Sequence, residues 1–110
     1  MEFNEYQRQA MVTKKNHASK KDQEIDGLLG IAGESGEVCE ILKKHYSRGT
    51  PIDRDELIKE LGDVMWYIAE LCDVFGFTLE DVAQRNILKL AARHTGGVFS
   101  GAGNRTGEGK

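Results

Sequence analysis

The sequence has little proline, little cysteine and no segment that predicts a β-strand. Its 110 residues include one proline, Pro51, and two cysteines, Cys39 and Cys72. No run alternates apolar with polar residues at a period of two for long enough to indicate a strand. The cysteines have neither CxxC nor zinc-ligand spacing and each falls within an apolar helical stripe, so we expect buried, reduced thiols. These absences exclude a disulfide scaffold and favour an all-α protein.

Long apolar runs and an excess of one charge are also missing. The most apolar stretch, residues 65–71, contains Glu70 and is far shorter than the ~20 apolar residues that cross a bilayer. The opening MEFNEYQRQAM is acidic and polar where a signal peptide needs a basic end and an apolar run. The formal net charge is -3 with both signs interspersed, so nothing attracts a nucleic acid polymer or an anionic membrane. We therefore expect a cytoplasmic protein that binds neither.

Helical periodicity is present in four segments. The third segment is apolar on nearly all sides, which predicts a central helix and a homo-oligomer, dimer or tetramer, because a four-helix monomer of this size would cover it poorly. Short connections between the segments predict a four-helix bundle. The predicted bounds are Asn4 to Ser19 with a lysine-rich end, residues 23–26 to Tyr46, an N-cap pair Asp53 and Glu56 to Gly76, and Thr78 to Gly96-Gly97.

The end of the chain differs in composition from the rest. The segment from Thr95 to Lys110 holds six of the 13 glycines and few large apolar residues. Such a segment is typical of a flexible tail or an extended arm. We predict a helical domain over residues 1–98 and a glycine-rich C-terminal arm over 99–110.

Two pairs of carboxylates lie on the second and third predicted helices. Glu34 and Glu37 are three residues apart, as are Glu60 and Asp63, and residues at that spacing share a helix face. If the helices pack antiparallel, the two pairs can face each other. A half-buried cluster of carboxylates is stable only when protonated or neutralised by a cation, and oxygen ligands select Mg²⁺, Ca²⁺ or Mn²⁺. With 18 acidic residues in the chain, a solvated helix face explains each pair equally well.

Glycines accompany both carboxylate pairs. Gly33 and Gly36 lie beside the first pair and Gly62 beside the second. A glycine inside a helix costs about 1 kcal/mol relative to alanine. Three of them beside carboxylates therefore suggest either a close backbone approach or room for a ligand.

The carboxylates belong to two longer segments, GIAGESGEVCEILKK and, after a loop, ELIKELGDVMWYIAELCDVFGFTLEDVAQRNILKLAAR. Together they resemble the MazG-type all-α nucleoside triphosphate pyrophosphohydrolases, with a likeness that extends from Tyr6 to Arg105. The family's pattern is two glutamates, two spacers and a glutamate on one helix, then Glu-x-x-Asp on the next. This chain has Gly33 at the first glutamate and matches the four usual metal-ligand positions, Glu34, Glu37, Glu60 and Asp63.

The resemblance implies Mg²⁺-dependent hydrolysis of a ribo- or deoxyribonucleoside triphosphate to the monophosphate and pyrophosphate, with Mn²⁺ as a possible substitute. It implies that Glu34 and Glu37 are catalytic, and we favour Glu37 as the general base. The alternatives are a related enzyme acting on a phosphoribosyl-ATP type substrate and an inactive helical module that binds a nucleotide or a protein. The predicted substrate contacts are Tyr67, Asn86, Lys89, Arg93 and Arg105.

Several residues near these motifs have a simpler interpretation. Trp66 is expected in the core or at a subunit interface. Tyr67 is an aromatic residue at helical spacing, so burial in the core is the alternative to its predicted nucleotide contact. Asn86, Lys89 and Arg93 also suit an ordinary solvated helix face. We expect the histidines His17, His45 and His94 at the surface, and the lysines Lys14, Lys15, Lys20 and Lys21 either facing solvent or near the triphosphate.

Overall fold

The computed structural model describes residues 1–94, and all regular secondary structure in this part of the chain is α-helical. The predicted all-α class is confirmed, since residues 1–94 contain no strand. Residues 1–78 form one compact unit, whereas α4 belongs to a second unit and is described by itself. The predicted Gly96-Gly97 stop, the 99–110 arm and Arg105 lie outside the described residues. The helices are α1 (Phe3–Met11), α2 (Lys20–Arg48), α3 (Arg54–Phe75) and α4 (Leu79–Arg93).

Local sequence signals set the ends of α3 and the loop before it. The Asp53 side chain accepts a hydrogen bond from the Glu56 backbone N–H at 3.1 Å, which confirms the predicted N-cap pair. Gly76 ends α3 in the left-handed conformation with φ 83°, and Gly49 ends α2 in the same way with φ 72°. Both C-caps use glycine because side chains rarely adopt a positive φ.

Helices α2 and α3 pack antiparallel. A Cβ atom added to Gly27 would lie 2.6 Å from Leu71 Cδ2, and one added to Gly30 would collide with the ring of Tyr67. Later residues of α2 therefore contact earlier residues of α3, since Gly27 faces Leu71 and Gly30 faces Tyr67. One turn further, Glu34 meets the acidic residues of α3. Gly27, Gly30 and Glu34 therefore form a row along α2, about one residue per turn, and this row is the face that α3 covers.

The close backbone approach predicted at the glycines beside the carboxylates is wrong. A Cβ added to Gly33, Gly36 or Gly62 would meet nothing within 4 Å. Gly30 and Gly27, about one and two turns before Glu34, are the glycines that admit α3 side chains. The space next to these three glycines is open, which agrees with the alternative prediction of room for a ligand.

Helix α1 is much shorter than predicted, ending at Met11 rather than near Ser19. The Ala10 carbonyl accepts hydrogen bonds from Thr13 N, Thr13 Oγ1 and Trp66 Nε1, at 3.0, 2.7 and 3.1 Å. These bonds occupy the acceptor that the next helical turn would need. The β-branched pair of Val12 and Thr13 also has low helix propensity.

Helix α2 begins earlier and ends slightly later than predicted. Ser19 is its N-cap, with Oγ accepting from Asp22 N at 3.1 Å. Lys20 and Lys21 consequently lie in the first turn of α2 rather than at the end of α1, where we expected them. The favourable interaction of these lysines with a helix C-terminus is therefore absent.

The segment that joins α1 to α2, residues 12–19, is tied to α3. Lys14 Nζ lies 2.9 Å from Asp73 Oδ2, and Gln23 Nε2 donates to the same oxygen at 3.0 Å. The Lys14 ammonium is the main reason that the pKa of Asp73 is lowered. Burial opposes this effect, and the Gln23 hydrogen bond lowers the pKa further. The Trp66 Nε1 also donates to Thr13 Oγ1 at 2.9 Å.

Helix α3 is the central element of the first unit, because it contacts both α1 and α2. Ala69 and Cys72 are buried along it. Cys39 is exposed, so its predicted burial is wrong, whereas that of Cys72 is confirmed. Cys39 lies about 120–180° around α2 from the residues of the row that α3 covers, which begins at Gly27. None of the helices in residues 1–94 combines the length and apolar character needed to span a bilayer.

Candidate functional site

Three of the four predicted ligand residues converge between α2 and α3. One carboxylate oxygen each from Glu34, Glu60 and Asp63 lies within 4.8 Å of the other two. Glu34 continues the row of α2 that faces α3, while Glu60 and Asp63 are one turn apart on α3. Glu37 is exposed on α2 and is not a member of this group. Its roles as ligand and base stay predictions.

The three carboxylates repel one another. Glu60 Oε1 is buried and has no hydrogen-bond partner. The pKa of Glu60 is raised to about 7, first by the close approach of the Glu34 carboxyl, then by burial and by the charges of Glu34 and Asp63. A divalent cation would remove this repulsion and satisfy the buried oxygen. The residues therefore fit a cation that prefers oxygen ligands, such as Mg²⁺ or Mn²⁺.

A cavity of about 360 Å³ adjoins the cluster. This volume lies at the lower end of the ~300–1,000 Å³ range of small-molecule sites. Its wall combines carboxylates, a lysine and two aromatic rings, which suits a ligand that carries both phosphate groups and a flat ring. The lining residues are Thr13, Lys15, Asp26, Glu34, Asp63, Trp66 and Tyr67.

Tyr67 lies in the cavity wall against the backbone of Gly30. Its ring makes an edge-to-face contact with Trp66, with centroids 5.0 Å apart and an interplanar angle of 81°. Burial, followed by the charges of nearby carboxylates, raises the pKa of Tyr67. The hydroxyl is therefore neutral and can donate a hydrogen bond. Its contact with a nucleotide stays a prediction.

Sequence reasoning missed part of the cavity wall. Trp66 was expected in the core or at an interface, but it lines the cavity and its Nε1 reaches back to Ala10 and Thr13. Asp26 was not singled out, although it lies two turns before Glu34 on α2. Lys15 is the one lysine of the basic group that lines this cavity. Periodicity could have placed Asp26 near the α3-facing row, but no sequence signal fixes the path of residues 12–19.

The predicted substrate contacts on α4 are exposed. Asn86, Lys89 and Arg93 are all accessible to solvent, with the spacing that puts them on one side of the helix. Because α4 belongs to the second unit, their contact with a substrate stays a prediction.

A second group of ligand-type side chains lies between residues 12–19, α2 and α3. His17 Nε2 is 3.7 Å from Asp26 Oδ2 and 3.7 Å from Glu70 Oε2. His17 is half-buried, as are His45 and His94, so the surface position predicted for the three histidines is wrong. The pKa of Glu70 is raised to about 7, first by burial and then by the neighbouring Asp26 carboxyl, against a lowering effect of Lys14 and Lys15.

Comparison with known proteins identifies a family for the chain. The sequence model of the MazG nucleotide pyrophosphohydrolase domain matches residues 24–98, which include the three clustered carboxylates. The Gene 37 protein of Mycobacterium phage L5 is 41% identical over 88 residues, covering 73% of this chain and 77% of that protein. No solved structure matched the chain. With more than half of its length matched, and with the acidic cluster inside the match, the chain belongs to the MazG nucleotide pyrophosphohydrolase family.

Proposed function

We propose that the protein hydrolyses a ribo- or deoxyribonucleoside triphosphate to the nucleoside monophosphate and pyrophosphate in a Mg²⁺-dependent reaction. One observation carries the proposal: Glu34, Glu60 and Asp63 converge, and two of them share a cavity wall with Lys15 and two aromatic rings. A triphosphate requires negative ligands for its metal, a cation for its own charge and a surface for its base. Membership of a nucleotide pyrophosphohydrolase family supports the same reaction.

Glu34, Glu60 and Asp63 would hold the Mg²⁺ ion, with Glu37 as the proposed fourth ligand. When bound, Mg²⁺ neutralises charge on the triphosphate and makes water a better nucleophile. The buried Glu60 oxygen without a hydrogen-bond partner supports this assignment. Mn²⁺ should substitute, since it also accepts carboxylate ligands.

The protein's own groups then position the reactants. The Lys15 ammonium is available in the cavity wall to pair with phosphate oxygens. A water molecule cleaves the α–β phosphoanhydride, its proton passes to a carboxylate, and pyrophosphate leaves. Glu37, the second glutamate of the family's motif in this chain, is the proposed base, and Glu34 is proposed as the other catalytic residue.

The nucleoside is proposed to contact the aromatic part of the cavity. Trp66 and Tyr67 offer ring surface for stacking, and the Tyr67 hydroxyl can donate a hydrogen bond. Asn86, Lys89 and Arg93 on α4 are the proposed contacts for the sugar and phosphates. Arg105 is proposed as a further phosphate contact from the glycine-rich arm, which lies beyond the described residues.

A homo-oligomer, dimer or tetramer, is the proposed assembly. Leu28 and Leu29 on α2 are 64% and 65% exposed, and Ile58 and Leu61 on α3 are 66% and 47% exposed. On each helix these side chains lie well away from the row that joins α2 to α3. We name these four residues the exposed apolar residues. A second copy of the chain would bury them and remove apolar surface from water.

A panel of ribo- and deoxyribonucleoside triphosphates tests the reaction. The proposal requires Mg²⁺-dependent release of pyrophosphate from at least one of them. Orthophosphate as the sole phosphate product, or no turnover of any, would contradict it. Adding phosphoribosyl-ATP to the panel separates the related enzyme class, which would turn over that compound alone.

The inactive binding module makes a different prediction in calorimetry. An enzyme that binds the triphosphate through Mg²⁺ should bind a non-hydrolysable triphosphate more tightly when Mg²⁺ is present. It should likewise bind Mg²⁺ more tightly when that triphosphate is present. Independent binding of the two, together with no turnover, would favour the inactive module.

A further inference from the structure

The cluster of His17, Asp26 and Glu70 has no part in the proposed hydrolysis, yet its chemistry demands an explanation. Glu70 is completely buried, and neither of its carboxyl oxygens has a hydrogen-bond partner. His17 Nε2 is also buried without one. Buried carboxylates are normally paired, and leaving one unpaired costs free energy. The unpartnered His17 nitrogen and Glu70 carboxylate lie beside the Asp26 carboxylate, with one ligand atom of each residue within 4.8 Å of the other two. This arrangement indicates that a cation belongs between them.

We propose that His17, Asp26 and Glu70 form a second metal site, which takes a first-row transition ion of the Zn²⁺ type. It is separate from the oxygen-only cluster of Glu34, Glu60 and Asp63. The geometry points to a shared ion: ligands at the 2.0–2.2 Å distances typical of zinc in a tetrahedral shell are about 3.4 Å apart. The His17 nitrogen lies 3.7 Å from each carboxylate oxygen, and the three ligand atoms lie within 4.8 Å of one another.

The donor set decides the type of ion. One imidazole with two carboxylates suits Zn²⁺, Co²⁺ or Mn²⁺, whereas Mg²⁺ prefers oxygen ligands and keeps several waters. The two clusters should therefore differ in selectivity. A three-residue set also leaves one position of a tetrahedral shell for water.

The location of the second site would let an ion enter from solvent and would let it connect three segments of the chain. Asp26 lines the cavity that Glu34 and Asp63 also line, so the second site borders a space open to solvent. His17 belongs to the segment between α1 and α2, Asp26 to α2 and Glu70 to α3. One ion joins these three segments. It also fixes the segment that carries Lys15 into the cavity wall.

Cobalt binding tests the proposal without any activity measurement. The experiment uses untagged Asp63→Asn protein, in which the oxygen-only cluster is weakened, and compares His17→Gln with His94→Gln in that background. Titrations followed by calorimetry and by the visible absorption of Co²⁺ should show one site in the His94→Gln protein. The His17→Gln protein should bind at that site at least about tenfold more weakly, by analogy with the loss of groups that support a metal ligand.

Stability measurements guard against a folding artefact. Co²⁺ should raise the Tm of the His94→Gln protein, because a ligand that binds only the native state stabilises it, and should do so much less in the His17→Gln protein. Circular dichroism confirms that both are helical. Equal Co²⁺ binding by the two proteins, or none by either, overturns the proposal; the cluster is then a set of polar contacts between side chains that holds no ion. Neither result bears on triphosphate hydrolysis, so the two proposals fail separately.

Discussion

At the scale of single residues, the Glu60 carboxyl links the acidic cluster to the stability of the protein. Its pKa in the folded protein is about 7, above the 4.5 of an unperturbed glutamate. Between these pH values the folded state keeps a proton that the unfolded state has released. The free energy of unfolding therefore falls as the pH rises through this window. Glu70, with a pKa also raised to about 7, acts in the same direction.

We expect the Tm of the metal-free protein to fall from about pH 5 to pH 8. Added Mg²⁺ should reduce the fall, because it relieves the repulsion among the carboxylates. Thermal unfolding in EDTA and in Mg²⁺ across this range measures both effects. Glu60→Gln should flatten the metal-free curve, whereas Glu40→Gln on the exposed surface of α2 should leave it unchanged. A Tm that rises with pH in EDTA would contradict this account.

The site residues differ in how well sequence alone could locate them. Glu34, Glu60 and Asp63 follow from helical periodicity and from an antiparallel pair of helices joined by a short loop. His17 does not, because its position depends on how residues 12–19 cross α3. That path is set by Trp66 and Asp73, which are more than 50 residues away in the chain. Nothing in the local sequence encodes it.

At the scale of the helices, ends that depend on local signals could be predicted from the sequence, and ends that depend on distant residues could not. The ends of α3 were predicted correctly because Asp53, Glu56 and Gly76 act locally, through a cap hydrogen bond and a left-handed residue. The start of α2 had an equally local signal in Ser19 followed by Asp22, which we did not use. The end of α1 could not be found in this way, since Trp66 supplies one of the hydrogen bonds that occupy the Ala10 carbonyl.

The packing of α2 on α3 makes a prediction about two glycines. Gly30→Ala should destabilise the protein by about 1–3 kcal/mol, because the new methyl group would overlap the Tyr67 ring and push it from its place in the cavity wall. Gly33→Ala is the matched control one turn away. It meets open space and should stabilise α2 by up to about 1 kcal/mol.

Urea unfolding of the two variants measures the difference. Destabilisation by Gly33→Ala and none by Gly30→Ala would mean that α3 contacts a different face of α2. Because Tyr67 moves in the Gly30→Ala protein, its KM for the triphosphate should also rise, while that of the Gly33→Ala protein should change less.

At the scale of the whole molecule, the exposed apolar residues of α2 and α3 predict self-association. Substituting Leu28 and Leu29 together by serine should shift the protein toward the monomer, since each loses the gain from burying a large apolar side chain. Light scattering coupled to size exclusion measures the mass. Val12→Ser, at an exposed residue next to α1, is the control and should leave the mass unchanged. A wild-type protein that is already monomeric would contradict the proposed assembly.

The central claim is that the acidic cluster cuts a nucleoside triphosphate between its α and β phosphates. The most direct measurement is the product stoichiometry of the best substrate, in wild type and in Asp63→Asn, with Asp55→Asn as a matched change at an exposed position of α3. We predict equal amounts of monophosphate and pyrophosphate from wild type and Asp55→Asn. Asp63→Asn should be folded and at least about tenfold slower, because losing a ligand costs no less than losing a group that supports one. Release of diphosphate and orthophosphate, or full activity in Asp63→Asn, would contradict the claim.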